Sequence, residues 1–562
     1  MQHSMTRPER FLAAGLLAAL FAAGVFDHSL WSNDAREGAM IREMVREGAW
    51  VAPSFNGKPY LEKPPLLHWT AAVMCHAAGA VTEGLVRFPS ALYGLGAVAI
   101  AVALGCRLGR ERAGWVSAFL CATSILYAEY SRVVLTDAAL AFMVMLSFYT
   151  FWRAYSATAR RTSWYGLFLV VSALSFYAKG LIGPGFIWVA VAVFLALRRR
   201  WRLLIGLAAA FAAVFALALA PWVYALWRKG GLEYIETAFW ANQFGRFFSF
   251  SDPALPEDPY RVHKQPVWFY LSRVLPVRLL PWTLLAIPAL AHWFRPGSPV
   301  RGDLPALLRT ALVAMLVILH ASSAKAACYV LPLFPIVFLM IAVWLEDALD
   351  SGPSRFERTA IGLTYGAIGA ALVLAPVACA VALGLASPFL VDPGPGLAAR
   401  ALALEALALG MAAAAAMLLW RAWRNGRAAM AGMWFPALAA VLLLPHAMAL
   451  VPLYDFQRTS KPFADVVSRE IGRGRSIAFA GSVSRDRGEF MFHLDRRLEQ
   501  VSVTNDQLRS FLFDGGGPAG VILPVRNLAQ AAARLPAGRF RLLRAEHAGD
   551  KCSDFLLLVN DR

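Results

Sequence analysis

Lysine is scarce in this chain: Lys58, Lys63, Lys179, Lys229, Lys264, Lys325, Lys461 and Lys551 are the eight among 562 residues. Charge of either sign is thin, at 16% against 59% hydrophobic residues, with a mean hydropathy of +0.53. A soluble protein of this length carries more charge and fewer unbroken apolar runs, which excludes a large soluble enzyme. The six cysteines, Cys75, Cys106, Cys121, Cys328, Cys379 and Cys552, form no close metal-type pair, and most fall in apolar runs. No disulfide framework is implied. There is no Asp-x-Asp motif to suggest an obligatory metal, and no internal repeat of the kind transporters show.

What is present is a series of apolar runs near the length that crosses a bilayer. They fall near 11–26, 86–106, 113–128, 133–152, 164–179, 182–197, 203–227, 266–294, 305–320, 329–346, 359–386, 398–420 and 429–450. That makes about 13 transmembrane helices. The net charge of +18 comes from arginine clusters between these runs, at 107–112, 160–161, 198–202, 295–301, 355–358 and 421–427. The clusters lie on alternate turns, so by the positive-inside rule they face the cytoplasm, and nucleic-acid binding is not needed to explain them. Arg7 and Arg10 put the N-terminus inside as well, ahead of an uncleaved first helix. The loops 31–85, 228–265 and 321–328 then face outward, as does the segment after the last span. All eight lysines lie on or beside that outer face. Where lysine is so rare, those left near the membrane are candidate anion ligands.

Charge first collects between Trp31 and Trp69. From Asp34 onward Met40, Ile41, Met44 and Val45 alternate with Arg42, Glu43, Arg46 and Glu47, which predicts an amphipathic helix lying flat on a membrane surface. Lys63-Pro64-Pro65 breaks the chain after it. The loop 31–85 reads as an active-site floor over the mouth of a helical membrane domain, residues 1–450. After Leu450 the composition changes. Segments 476–481, 489–493, 520–523, 540–544 and 555–559 read as strands, and 463–471, 505–512 and 528–535 as helices. Residues 451–562 therefore form a small outer α/β domain. It carries no nucleotide-binding glycine motif, triad or metal spacing.

Two carboxylates stand out. Asp34, with Glu37 three residues on, also fits a capping box, and Thr136-Asp137 ahead of an apolar run also fits a cap. Yet both fall on the outer face, opposite the cations Lys63, Lys179, Arg246, His263, Lys264 and Lys325. Each cation taken singly fits a snorkelling side chain at a helix end. Paired carboxylates facing several cations suit glycosyl transfer from a phosphate-linked donor. The carboxylates stabilise or orient the sugar and acceptor, and the cations hold the departing phosphate.

The ordered motifs N-D-A-R-E-G, Y-L-E-K-P-P, S-R-V-V-L-T-D-A, A-K-G, Q-F-G-R-F, H-K-Q-P-V-W-F-Y and S-S-A-K-A-A-C-Y-V-L-P, between residue 31 and about 335, carry a resemblance. They resemble the aminoarabinose transferases of the ArnT family. More loosely they resemble the protein O-mannosyltransferases and other polyprenyl-phosphate-dependent enzymes of the GT-C fold. The resemblance implies a polytopic α-helical GT-C glycosyltransferase in the inner membrane of a Gram-negative bacterium, its site facing the periplasm. It would move 4-amino-4-deoxy-L-arabinose from undecaprenyl phosphate to lipid A phosphates by inversion, giving resistance to polymyxin and other cationic peptides. Asp34 and Asp137 would be catalytic. Tyr60, Lys63, Lys179, Arg246, Lys325 and Tyr329 would line the donor-phosphate and lipid site. Asp34-Ala35 departs from the Asp-Glu of the mannosyltransferases, which argues against mannosyl transfer to protein. No cofactor is required on this reading. Glu62 and His263 are two candidate ligands for a structural zinc. The alternatives are a related transferase acting on protein or another glycan, and a lipid-linked sugar transporter.

Overall fold

The computed structural model describes residues 5–245, 265–385, 395–481, 483–504, 506–536, 538–545 and 550–560. A helix lies at each of the expected apolar runs. Among the described residues, eight helical stretches are long and apolar enough to cross a membrane. The number is nine if the pair Tyr270–Arg278 and Thr283–Phe294, bent by 116°, counts as one span. Three others, α1 (Arg7–Ala22) and the helices Glu111–Thr123 and Ile182–Leu197, have 16, 13 and 16 residues. At 1.5 Å per residue each is shorter than a ~30 Å hydrocarbon core. The helix Arg161–Lys179 opens on Arg-Thr-Ser and closes on lysine, which shortens its apolar stretch.

The outer loop expected at 228–265 is helical over 228–245. The helix Trp201–Ile235 passes through non-helical geometry at Gly230 and Gly231, the latter at φ 65°, and continues as a π-helix over Glu236–Gly245. The double glycine interrupts the helix without ending it, because residues on both sides are good helix formers. The bundle core is built on fully buried large side chains, among them Trp282, Trp293 and Trp344. Their indole N–H groups donate to Thr123, the Met340 carbonyl and Glu357.

The last bundle helix runs to Arg458, past the boundary expected at 450, and the sheet-bearing unit starts at Lys461. Its five strands are β3 (Ser476–Phe479), β4 (Glu499–Gln500), β5 (Ala519–Pro524), β6 (Phe540–Leu543) and β7 (Phe555–Asn560), following the short hairpin β1 (Ser54–Phe55) and β2 (Lys58–Pro59) near the first loop. Their order is β4-β3-β5-β7-β6. β3 runs parallel to β4 and β5, and β7 antiparallel to β5 and β6. β5 and β7 are buried along their whole length, as central strands are. The strand expected at 489–493 is instead part of the helix Ser484–Leu494. Phe490, Met491 and Phe492 are all buried, and a short continuous apolar run does not separate a buried helix from a buried strand.

That helix explains a second correction. α2 (Asn33–Glu47) is not a helix with one face free; it is sandwiched between α3 (Leu66–Ala78) and the helix Ser484–Leu494, with Asp34, Glu37 and Glu43 buried. Glycine permits the approach. A Cβ on Gly488 would sit 2.7 Å from Arg36 Cα, and one on Gly38 would sit 3.1 Å from the Phe492 ring. Arg42 lies over the Phe492 ring at 4.1 Å, and Arg46 pairs with Asp495 at 2.5 Å. Glu489 accepts the N–H of Ser460 at 2.9 Å and that of Ser32, the N-cap of α2, at 3.4 Å. The sheet-bearing unit thus holds the helix that carries the first candidate carboxylates.

Candidate active site

Asp34 is in the first turn of α2, but it caps nothing. The N-cap is Ser32, without a side-chain cap bond. The Asp34 carboxylate instead receives Arg87 Nε at 2.9 Å and the backbone N–H of Val134. Arg87, on α4 (Glu83–Arg107), is fully buried and also donates to the carbonyls of His28, at 2.7 Å, and Ser29. Burial pushes the Asp34 carboxyl up, against the pull of Arg87 and the Val134 N–H.

Glu37, one turn on, is a hub. It is fully buried, and accepts from Arg36 at 3.0 Å and Lys63 at 3.2 Å, with His68 Nε2 at 2.8 Å. Arg36 lies over the Tyr60 ring at 5.5 Å, and the Tyr60 hydroxyl donates to Glu62 at 3.1 Å. Burial raises the Tyr60 phenol. Desolvation lowers the ammonium of the partly buried Lys63, but the charges around it, Glu37 foremost and Glu62 with it, together outweigh that and hold it above its ordinary value.

The third group surrounds Asp137, which is 2% exposed at the start of the helix Thr136–Ser156. Lys179 Nζ is 2.5 Å from its carboxylate and 4.1 Å from the centre of the Tyr329 ring. Cys328 lies beside this group, and the Val134 N–H, three residues ahead of Asp137, ties the group to Asp34 on α2. Lys325 is 4% exposed, and its ammonium donates to the Ser322 carbonyl. No carboxylate pairs with it among the described residues. Burial pulls its ammonium down.

Tyr60, Lys63, Lys179, Tyr329 and the two aspartates therefore fall into adjoining clusters at one end of the bundle, whereas no described contact ties Lys325 to them. Arg246 and His263 lie outside the described residues. So does any test of the Glu62–His263 pair; among the described residues no three His, Cys, Asp or Glu side chains are grouped to hold a metal. Arg87, Glu37, His68 and Cys328 are functional-looking residues that sequence reasoning passed over. An arginine inside the apolar run of α4 and a histidine in L-L-H-W were the available signals.

The arrangement can hold an anion beside two carboxylates at the edge of an apolar bundle. Residues 39–235 match the family model of dolichyl-phosphate-mannose-protein mannosyltransferases. Undecaprenyl phosphate-α-4-amino-4-deoxy-L-arabinose arabinosyl transferases are similar over longer stretches. The protein of Shewanella sediminis is 27% identical over 60% of this chain and 59% of its own length. That of Pseudomonas paraeruginosa is 32% identical over 57% and 58%. The chain thus spans less than two thirds of these two relatives. The transferase of Pseudomonas aeruginosa is 30% identical over 76% of this chain and 75% of its own. The solved structure of ArnT from Cupriavidus metallidurans bound to undecaprenyl phosphate covers 99% of this chain and 98% of its own, at 18% identity and a TM-score of 0.71. That likeness shows a shared GT-C fold across both the bundle and the sheet-bearing unit. With three quarters of each chain aligned at 30% identity to the Pseudomonas aeruginosa protein, this multi-pass membrane protein belongs to the undecaprenyl phosphate-aminoarabinose arabinosyl transferase family.

Proposed function

We propose that this protein transfers 4-amino-4-deoxy-L-arabinose from undecaprenyl phosphate to a phosphate of lipid A. The observation that carries the reading is the clustering of Lys63, Lys179 and Arg36 around two buried carboxylates at one end of an apolar bundle. A lipid-linked donor reaches such a site from within the bilayer and leaves as an anion, so it needs cations rather than a general acid. Lys325 adds a buried ammonium with no carboxylate on it among the described residues, a site whose desolvation cost an arriving phosphate would offset. Lys63, Arg246, Lys325 and Tyr329 bind the leaving phosphate, with Tyr60 and Lys179 beside them. Asp34 and Asp137 stabilise positive charge on the sugar and orient it. A lipid A phosphate is already anionic and needs little base assistance. Displacement by it inverts the anomeric carbon. Glu62 and His263 would hold a structural zinc, if metal is bound, without a part in these steps.

The enzyme sits in the bacterial inner membrane with 13 crossings, its N-terminus in the cytoplasm and its site and sheet-bearing unit in the periplasm. A cysteine placed at Gln500, in a chain with Cys106 replaced by serine, should react with an impermeant maleimide on intact spheroplasts. Reaction only after the inner membrane is broken would invert the topology. The product is checked by lipid A mass spectra from cells with and without the protein. A pentosamine-sized increment should vanish on deletion, and polymyxin sensitivity should rise as the phosphates lose their covering ammonium. The match of residues 39–235 to the mannosyltransferase model favours a second reading, in which a periplasmic protein loses a hexose and lipid A is unchanged.

A further inference from the structure

Glu37 has no exposure, and the transfer as read above gives it no task. Its Oε1 accepts from both the Arg36 guanidinium, at 3.0 Å, and the Lys63 ammonium, at 3.2 Å. A single oxygen held by a guanidinium and an ammonium has the surroundings that a phosphate oxygen would find in the same place. Its Oε2 is fixed separately, 2.8 Å from His68 Nε2 on α3. His68 is itself fully buried, and its Nδ1 has no hydrogen-bond partner among the described residues. The buried Nε of Arg36 is also without a partner among the described residues, which leaves that guanidinium a donor facing no described acceptor. Burial acts to raise the Glu37 carboxyl, but Lys63, His68 and Arg36 outweigh it and hold the group well below the usual carboxylate range. It is an anion whenever the protein is folded at neutral pH.

We propose that Glu37 is a built-in counter-anion of the donor site, occupying Lys63 and Arg36 while no lipid phosphate is bound and competing with that phosphate for them at each turnover. The inference rests on the reading of Lys63 as a donor-phosphate ligand. The leaving phosphate must be stabilised as it forms and yet be released afterwards. Two partly buried cations with no internal anion would hold it too long. Glu37 returns the cations to a neutralised state, and His68 anchors the far oxygen so that the carboxylate does not swing away with Lys63. Glu37 does not touch the reacting atoms on this account; it is a positioning residue that acts through Lys63 and Arg36.

The test uses the full chain purified in detergent and a short-chain polyprenyl phosphate as probe. Glu37→Gln keeps the shape and removes the charge. It should bind the probe about tenfold more tightly, the scale of one charge-assisted hydrogen bond, with KM for the donor and kcat both lowered. Glu37→Asp keeps the charge but draws it back by a methylene, and should tighten binding by about two- to threefold, a fraction of one such bond. Binding that is unchanged or weaker in these variants overturns the counter-anion, and if only Glu37→Asp folds, its result alone decides. Lys63→Gln separates this from the underlying assignment. If Lys63→Gln weakens binding and Glu37→Gln fails to tighten it, the counter-anion alone is wrong. If Lys63→Gln leaves binding unchanged, the donor-site assignment of Lys63 fails and the inference goes with it.

Discussion

Asp34 accepts the backbone N–H of Val134, three residues ahead of Asp137. Its other oxygen takes Arg87, which in turn grips the carbonyls of His28 and Ser29. The two carboxylates proposed for catalysis are therefore parts of one framework. Asp34 fixes the chain entering the helix that carries Asp137, and Lys179 then fixes the Asp137 carboxylate.

Asp34→Asn retains an acceptor for the Val134 N–H and loses the charge facing Arg87. Neutralising one partner of a buried pair costs roughly 3–5 kcal/mol, which the carbonyls on Arg87 reduce. We expect a lower Tm together with at least about a hundredfold loss of turnover per folded molecule, the loss of a transition-state charge contact in a dry site. Thermal unfolding and single-turnover transfer on the same preparation give both numbers. Wild-type turnover in a destabilised but folded variant would confine Asp34 to holding the fold.

Lys63→Ala, Arg246→Ala and Lys325→Ala should each reduce transfer by about tenfold to a hundredfold, the range for a charge-assisted contact in a dry site. Lys325→Ala should differ from Lys63→Ala in stability. Removing Lys63 leaves Glu37 short of a partner, whereas among the described residues Lys325 has no carboxylate to abandon. Its removal should leave Tm unchanged or raised. Donor-dependent transfer measured beside a melting curve checks both statements, and full activity in all three variants would end the donor-site assignment.

The apolar runs were legible in the sequence because a bilayer demands long uninterrupted segments, and a helix lies at each one. Asp34 and Asp137 were legible as charge at span boundaries. The partners were not. Arg87 lies 53 residues from Asp34, and only the packing of α2 against α4 brings them together. Glu37 read as half of a capping box because Asp-x-x-Glu is a strong local pattern, and tertiary contacts with Lys63 and His68 override it. The amphipathic helix was a correct periodicity, but its polar face also meets the sheet-bearing unit, through Arg42 and Arg46. The run 489–493 was ambiguous because Phe490, Met491 and Phe492 are three apolar residues in a row, too short a stretch to set a period.

Acid should loosen the segment just ahead of α2. Burial drives His28 down to about 3 and His493 down to about 4. The His493 ring lies 3.2 Å from the Leu30 carbonyl, and the His28 carbonyl receives Arg87. Both imidazoles are neutral in the folded protein at pH 5, whereas an unfolded histidine titrates near 6.5. The unfolded chain therefore binds more protons in that interval, and stability present above about pH 6.5 is lost as pH falls toward 4. His493→Gln removes one of the two groups and should flatten the dependence of Tm on pH between about 6.5 and 4. An unchanged slope would acquit His493.

The pair Glu405 and His446 offers the last test, this time inside the bundle. The helices Pro395–Arg424 and Ala428–Arg458 are joined by a three-residue turn, so they run side by side. His446 is about 27 Å along the second of them at 1.5 Å per residue. Its Nδ1 is 2.6 Å from Glu405 Oε2, while Glu405 Oε1 and His446 Nε2 have no partner among the described residues. Both side chains are almost wholly buried. Such a pair is expensive in hydrocarbon and is tolerated because each member is the other's partner. Removing one member should therefore cost more than removing both. We expect His446→Leu and Glu405→Leu each to destabilise the folded protein by about 2 kcal/mol or more, an interhelical hydrogen bond plus the desolvation of what remains. The double variant should recover most of that loss, because two leucines fill the contact without a polar atom. Unfolding in mixed micelles of increasing sodium dodecyl sulfate supplies the three values. Additive losses, with the double variant worse than either single one, would mean that the two side chains act separately rather than as a helix-docking pair.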